Sequence, residues 1–181
     1  KVFYEPMNKK ERFIIGGDGA QGIRGGDCSA LVCRKLPELK MVFTFSDIID
    51  PFNFAKLVCF LAKKYNNAFV GLETNERGGF ASIGYLLNHF HYTNQYFREK
   101  QLQIDSPPTK EAGWTTSAKT KPIMIADYKE SMRIGEIEIL DIELVEQLMA
   151  YKLLKKNVLG IEKNLTGAAG EDGLAIADMI C

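Results

Sequence analysis

The chain has few of the residues that build metal fingers or disulfide frameworks. Its 181 residues include four cysteines and two histidines, and the cysteines form no CxxC pair. No histidine stands at zinc-finger spacing from them. No apolar run approaches the roughly 20 residues that span a bilayer, and the absence of a GxxxxGK[ST] loop excludes a P-loop ATPase within this chain. The apolar neighbours of Cys33 and Cys59 predict buried free thiols and a reducing compartment.

The chain also lacks net charge, because 23 Lys and Arg residues balance 23 Asp and Glu residues. This balance excludes a histone-like nucleic-acid binder that works through overall charge. A hydrophobic content of 46% excludes an intrinsically disordered chain. At roughly 150 residues per domain, the length predicts one domain. An even balance remains compatible with acids gathered in one place and bases in another.

The hydrophobic pattern predicts one α/β domain over residues 12–181, preceded by a linker over residues 1–11. Antiparallel strands are expected first, at residues 12–17, 27–34 and 40–46. A helix from Pro51 to about Tyr65, capped by Asp50, then leads to a strand at 68–73, which a helical crossover makes parallel to its neighbour. The other predicted elements are helices at 79–89, 119–134, 141–156 and 172–180, a hairpin within 92–118 with its tip near Ser106, Pro107 and Pro108, and a loop at 164–170. This order predicts a mixed sheet flanked by helices.

Three acidic residues stand where a strand ends or a helix begins. Asp18 and Glu73 each end an apolar strand, and Asp172 precedes the apolar start of the last helix. Neighbouring strands lie about 5 Å apart, so Asp18 and Glu73 would meet if their strands are adjacent. A carboxylate cluster requires positive charge, and oxygen ligands select Mg²⁺ or Mn²⁺. Taken singly, each acid is also explained as a turn, a strand end or a helix cap.

Four segments in this order resemble one protein family. They are FIIGGDGAQGIRGGDCSALVC (13–33), FVGLETN (69–75), GWTTSAKTKPIMI (113–125) and GEDGLAIADMI (170–180). Together they resemble the nuclease domain of the large terminase subunit of tailed phages, which has a ribonuclease H-like, resolvase-like fold. The resemblance covers about residues 12–180. It departs from the family at the last segment, where Glu171, Asp172 and Gly173 replace a frequent His-Asp-Asp.

The resemblance implies a metal-dependent endonuclease that cuts double-stranded DNA during viral genome packaging. It assigns two divalent ions, Mg²⁺ or Mn²⁺, to Asp18, Glu73 and Asp172, with Asp27 as a further candidate ligand. It also implies an ATPase motor domain upstream of this chain, a small terminase subunit and a portal as partners, and action in the host cytoplasm. Two alternatives remain open: a structure-selective DNA resolvase, and an inactive interaction module on the same fold.

Four basic residues are candidates for contacts with DNA phosphates. Lys119 and Lys121 stand at the start of a predicted helix among Thr and Ser residues, where backbone N–H groups and hydroxyls also favour a phosphate. Arg24 lies in the glycine-rich loop after Asp18, and Arg77 follows Glu73 by four residues. A solvated surface explains each of these residues equally well.

Overall fold

The first half of the chain folds in the predicted order, in a computed structural model that describes residues 1–75, 77–100, 107, 109–154, 158–161 and 172–181. The strands are β1 (Arg12–Asp18), β2 (Ser29–Leu36), β3 (Lys40–Asp47), β4 (Phe69–Leu72), β5 (Phe97–Lys100), β6 (Thr109–Ala112), β7 (Tyr151–Leu154) and β8 (Val158–Ile161). The helices are α1 (Pro51–Lys64), α2 (Arg77–Asn88), α3 (Thr120–Arg133), α4 (Ile142–Met149) and α5 (Gly173–Ile180).

A four-stranded mixed sheet with the order β3–β2–β1–β4 forms the centre of the fold. The first three strands are antiparallel, and Asp18 pairs with Ala30 across β1 and β2. β4 pairs with β1 in parallel, with Gly17 opposite Leu72. The crossover through α1 carries the chain from β3 at one edge of the sheet to β4 at the other edge. Asp50 caps α1 by accepting hydrogen bonds from the backbone N–H groups of Phe52 and Asn53. The predicted sheet, antiparallel in its first three strands and then parallel, is confirmed.

The outer edge of β4 is covered by two short pieces of the chain between α2 and α3. The Tyr96 N–H donates to the Val70 carbonyl at 2.8 Å, and the Trp114 N–H donates to the Leu72 carbonyl at 2.7 Å. Between these pieces, β5 and β6 form an antiparallel hairpin, which confirms the predicted hairpin; Ser106 and Pro108 of its expected tip lie outside the described residues. The pairing of Trp114 brings the Thr-rich start of α3 alongside the end of β4.

Helices cover the two faces of the sheet. On one face α1 and α2 pack over a core that includes Phe13, Ile15 and Phe54. On the other face α5 packs against β1 and β2, with α3 and α4 beside it, over a smaller core that includes Val32 and Leu174. The sheet therefore lies between two helical layers, and its carboxyl-terminal edge carries the ends of β1 and β4.

Gly16 in β1 allows α5 to lie directly on the sheet. A Cβ atom at this position would overlap the backbone carbonyl oxygen of Ala177, and backbone cannot move aside as a side chain can. We expect Gly16→Ala to lower the free energy of unfolding by about 1–3 kcal/mol, the usual cost of overpacking. Gly84 in α2 has open space at its Cβ position, so Gly84→Ala should be neutral or stabilising. Urea denaturation of both variants measures the difference, and equal stability would contradict the packing described here.

One helix prediction is wrong in its second half. The helix expected at 141–156 ends at Met149, and residues 151–154 pair with residues 158–161 as an antiparallel hairpin. The alternation of Tyr151, Lys152 and Leu153 fits a strand as well as the last turn of a helix, so the pattern did not separate the two. The predicted loop at 164–170 lies outside the described residues.

A buried ion pair fastens α5 to the central sheet. The Arg34 guanidinium in β2 donates to both carboxylate oxygens of Asp178, at 2.6 and 2.7 Å, and both side chains are almost fully buried. The Tyr128 hydroxyl on α3 donates to the same carboxylate. This network joins β2, α3 and α5.

The first residues of the chain and two of the cysteines also belong to the folded domain. Residues 1–4, predicted as part of a linker, run beside β3, where the Phe3 N–H donates to the Val42 carbonyl at 2.9 Å. Cys33 and Cys59 are buried free thiols, as predicted. No helix in the described part of the chain combines the length and the apolar character needed to cross a bilayer.

Candidate active site

Asp18 and Glu73 lie side by side at the carboxyl ends of two parallel strands. The backbone N–H of Glu73 donates to the Gly17 carbonyl at 2.8 Å, so the pairing of β1 and β4 continues to the two acids. Their side chains are joined by a hydrogen bond. Glu73 is only 6% exposed, and Gly79 packs against its backbone carbonyl at the start of α2. The sequence prediction that these two acids would meet is consistent with this register.

Burial raises the pKa of Glu73 above its ordinary value of 4.5. A side-chain hydrogen bond with Asp18 and the charge of Lys121 lower the pKa, and the charge of Asp172 raises it, but removal of the carboxylate from water is the largest effect. Burial therefore favours the neutral form of Glu73, whereas the hydrogen bond with Asp18 favours its charged form.

Asp172 approaches these two acids from the opposite helical layer. It precedes α5, and its side chain does not cap that helix, so the explanation as a helix cap does not apply. Its Oδ2 lies 3.4 Å from Nζ of Lys121 at the start of α3. A Cβ atom at Gly173 would stand 3.7 Å from Oδ2 of Asp18, which places the start of α5 against the end of β1. Glu171 lies outside the described residues.

Two interactions connect the acids to one another and to a basic residue. Within the described residues, no three carboxylate, imidazole or thiol groups stand in a ready-made metal geometry. Instead, Asp18 and Glu73 share a hydrogen bond, and Asp172 faces Lys121. The ammonium of Lys121 offsets part of the negative charge of the acids, which reduces their mutual repulsion.

The four basic candidates lie in two different environments. Arg24, Arg77 and Lys119 are exposed, in the loop after β1, at the first turn of α2 and next to α3 respectively. Lys121 instead turns toward the acids. Asp27 is exposed just before β2. The sequence did not indicate that Lys121 reaches Asp172, and the only available signal was the run of hydroxyl and Lys residues before Pro122.

The raised pKa of Glu73 predicts a specific pH dependence of stability without metal. The folded protein keeps a proton on Glu73 that the unfolded chain releases near pH 4.5. The free energy of unfolding therefore loses a contribution as the pH rises from about 4.5 through the folded-state pKa. The loss amounts to about 1.4 kcal/mol for each pH unit that separates the folded-state pKa from the unfolded-state pKa. In EDTA, Glu73→Gln should become more stable relative to wild type as the pH rises.

Urea denaturation between pH 4.5 and 8 measures this difference. Glu146→Gln, at an exposed position on α4, is the matched control and should show a constant difference from wild type. A difference between Glu73→Gln and wild type that does not change with pH would contradict the account of Glu73.

Comparison with known proteins identifies the fold. No protein-family model and no curated protein matches the chain. The large terminase nuclease from thermophilic phage G20c with bound cobalt is 15% identical and superposes with a TM-score of 0.72, over 99% of this chain and 84% of that one. The same nuclease with bound magnesium gives 16% identity and a TM-score of 0.70, over the same shares. The large terminase nuclease domain of Thermus phage P74-26 gives 15% and 0.67, over 99% and 82%. The chain therefore has the fold of large terminase nuclease domains, and the predicted ribonuclease H-like class is confirmed.

Proposed function

We propose that this chain is a metal-dependent endonuclease that cleaves double-stranded DNA by two-metal-ion phosphodiester hydrolysis, as the nuclease of a viral packaging terminase. One observation carries the proposal: Asp18, Glu73 and Asp172 approach one another from β1, β4 and α5. The similar terminase nucleases, crystallised with bound magnesium and cobalt, support the use of divalent metal on this fold.

The residues of the site fit a hard divalent cation. Their donors are carboxylate oxygens, which Mg²⁺ and Mn²⁺ prefer. The hydrogen bond between Asp18 and Glu73 and the ammonium near Asp172 lie among the carboxylates that a divalent cation would bind. When bound, two divalent cations would activate the attacking water and stabilise the leaving oxygen of the phosphate.

The protein's own contribution in this proposal is to position the acids and keep them charged when metal is present. The carboxyl ends of the parallel strands β1 and β4 hold Asp18 and Glu73 in register. α5, fixed by the buried ion pair of Arg34 and Asp178, presents Asp172. The hydrogen bond with Asp18 favours the charged form of Glu73. Asp27 is a further candidate ligand, from its exposed position before β2.

The exposed bases provide the approach for the DNA backbone. Arg24, Arg77 and Lys119 stand on three elements that meet the site: the loop after β1, the start of α2 and the start of α3. The chain's formal charge is zero, and two bound divalent ions would raise it to about +4. We therefore expect DNA binding by this chain to be weak and to strengthen with metal.

The same proposal includes the domain and the proteins with which this nuclease would work. We propose that an ATPase motor precedes this chain in the full-length protein, and that residues 1–11 belong to the connection between the two. The small terminase subunit and the portal are its partners, and it acts in the host cytoplasm.

Cleavage of defined DNA substrates tests the proposal. The chain should nick and linearise supercoiled plasmid with Mn²⁺ or Mg²⁺ and leave it intact in EDTA. A linear duplex and a four-way junction of equal length should be cut at similar rates. Strong preference for the junction would favour a structure-selective resolvase. Intact plasmid at saturating Mn²⁺, with the chain folded by circular dichroism, would favour an inactive interaction module.

A further inference from the structure

An ammonium group lies among the acids that we propose bind metal. Lys121 is the second residue of α3, and its Nζ is 3.4 Å from Oδ2 of Asp172. The charge of Lys121 also lowers the pKa of Glu73. One lysine therefore acts on two of the three acids, although it comes from a different element than either.

The surroundings of this ion pair make its charge effective. The side chains of Lys121 and Asp172 are 24% and 30% exposed, so water and salt screen them less than a pair on the open surface. Glu73, next to them, is nearly buried. The charge of Asp172 raises the pKa of Glu73 and the charge of Lys121 lowers it, so the lysine offsets part of the repulsion between the two acids.

Building on the function proposed above, we propose that Lys121 is an internal counter-ion: its ammonium holds Asp172 in the metal-free protein and leaves this carboxylate when a divalent cation binds. A lysine suits this role because its single charge is carried on a flexible four-carbon stem. A divalent cation brings two charges and direct coordination by the carboxylate. The Lys121 ammonium and the divalent cation repel each other, so they compete for Asp172.

The exchange has two consequences for the protein. Before metal binds, the ion pair keeps the start of α5 against α3, so the acids remain in place. The same ion pair weakens metal affinity, because each metal-binding event has to break it.

Calorimetric titration of Mn²⁺ into the metal-free protein, without DNA, measures the competition. Lys121→Met removes the competitor and should tighten Mn²⁺ binding by about three- to tenfold. Lys129→Met is the matched control, since it removes the same charge from an exposed residue on the same helix. The control should change Mn²⁺ affinity by less than about twofold. Equal or weaker Mn²⁺ binding by a folded Lys121→Met variant would overturn the proposal.

A second measurement separates failure of this inference from failure of the proposed function. In EDTA, unfolding of wild type, Lys121→Met, Asp172→Asn and the double variant forms a thermodynamic cycle. We expect the two residues to be coupled by at least about twofold in the unfolding equilibrium constant. Absence of coupling would overturn the counter-ion role, whatever the metal result. Coupling without any Mn²⁺ binding by wild type would instead overturn the proposed function, and with it the displacement of Lys121 by metal.

Discussion

Asp18→Asn is expected to abolish metal-dependent DNA cleavage while leaving the folded domain intact. Asp18 is the acid that contacts Glu73 at the end of β1, and an amide has lost the negative charge that holds a divalent cation. Loss of partners that only support metal ligands costs about 10- to 100-fold in affinity or activity. Loss of a ligand itself should therefore lower the rate of plasmid cleavage by more than about 100-fold at fixed Mn²⁺.

The stability of this variant distinguishes a functional role from a structural one. The asparagine amide can donate a hydrogen bond to Glu73, and the substitution removes one negative charge from the cluster. In EDTA the melting temperature should therefore be unchanged or higher. Asp47→Asn is the control, because Asp47 also ends a strand of the same sheet, yet it is exposed at the end of β3. It should keep cleavage within about twofold. Undiminished cleavage by Asp18→Asn would overturn the assignment of the site.

Asp178→Asn is expected to lower the free energy of unfolding more than Gly16→Ala or Asp18→Asn does. The substitution leaves the Arg34 guanidinium buried without its carboxylate, and breaking a buried ion pair in this way costs about 3–5 kcal/mol. For a domain of this size, that corresponds to a fall of roughly 6–20 °C in melting temperature. Differential scanning calorimetry of the metal-free protein measures the change.

An exposed ion pair provides the comparison for Asp178→Asn. Glu130 and Arg133 form a pair on the surface of α3 with similar distances, and exposed pairs contribute little. Glu130→Gln should leave the melting temperature unchanged. If both substitutions had the same small effect on the melting temperature, the claim that the buried Arg34–Asp178 pair stabilises the packing of α5 would be contradicted.

The mixed sheet and the candidate acids could be predicted because local signals specify them. Short apolar runs that end in Asp18 and Glu73, with a capped helix before the fourth strand, predict antiparallel strands followed by a parallel one. The sequence left open whether the two strands that carry these acids are neighbours, and the structure shows that β1 and β4 are. The second half of residues 141–156 was predicted wrongly because the same apolar spacing over Tyr151–Leu154 fits a helix and a strand. Pairing with a distant segment decides between them.

Contacts between distant elements explain what the sequence could not indicate. Lys121 was predicted as a surface contact for DNA, but α3 and α5 meet at its position, so it faces Asp172. The ion pair between Arg34 and Asp178 joins residues 144 positions apart, and no local pattern in the sequence pairs them. Such contacts depend on how the helices dock on the sheet, which periodicity alone does not describe.

A crystal structure of this chain soaked in Mn²⁺ tests the central claim most directly, because the anomalous scattering of manganese locates each ion. The account predicts two ions about 3.5–4 Å apart among the carboxylates of Asp18, Glu73 and Asp172, with the Lys121 ammonium displaced from Asp172. Fully occupied Mn²⁺ elsewhere on the protein, with these three acids still joined by the Asp18–Glu73 hydrogen bond and the Lys121–Asp172 ion pair, would contradict it.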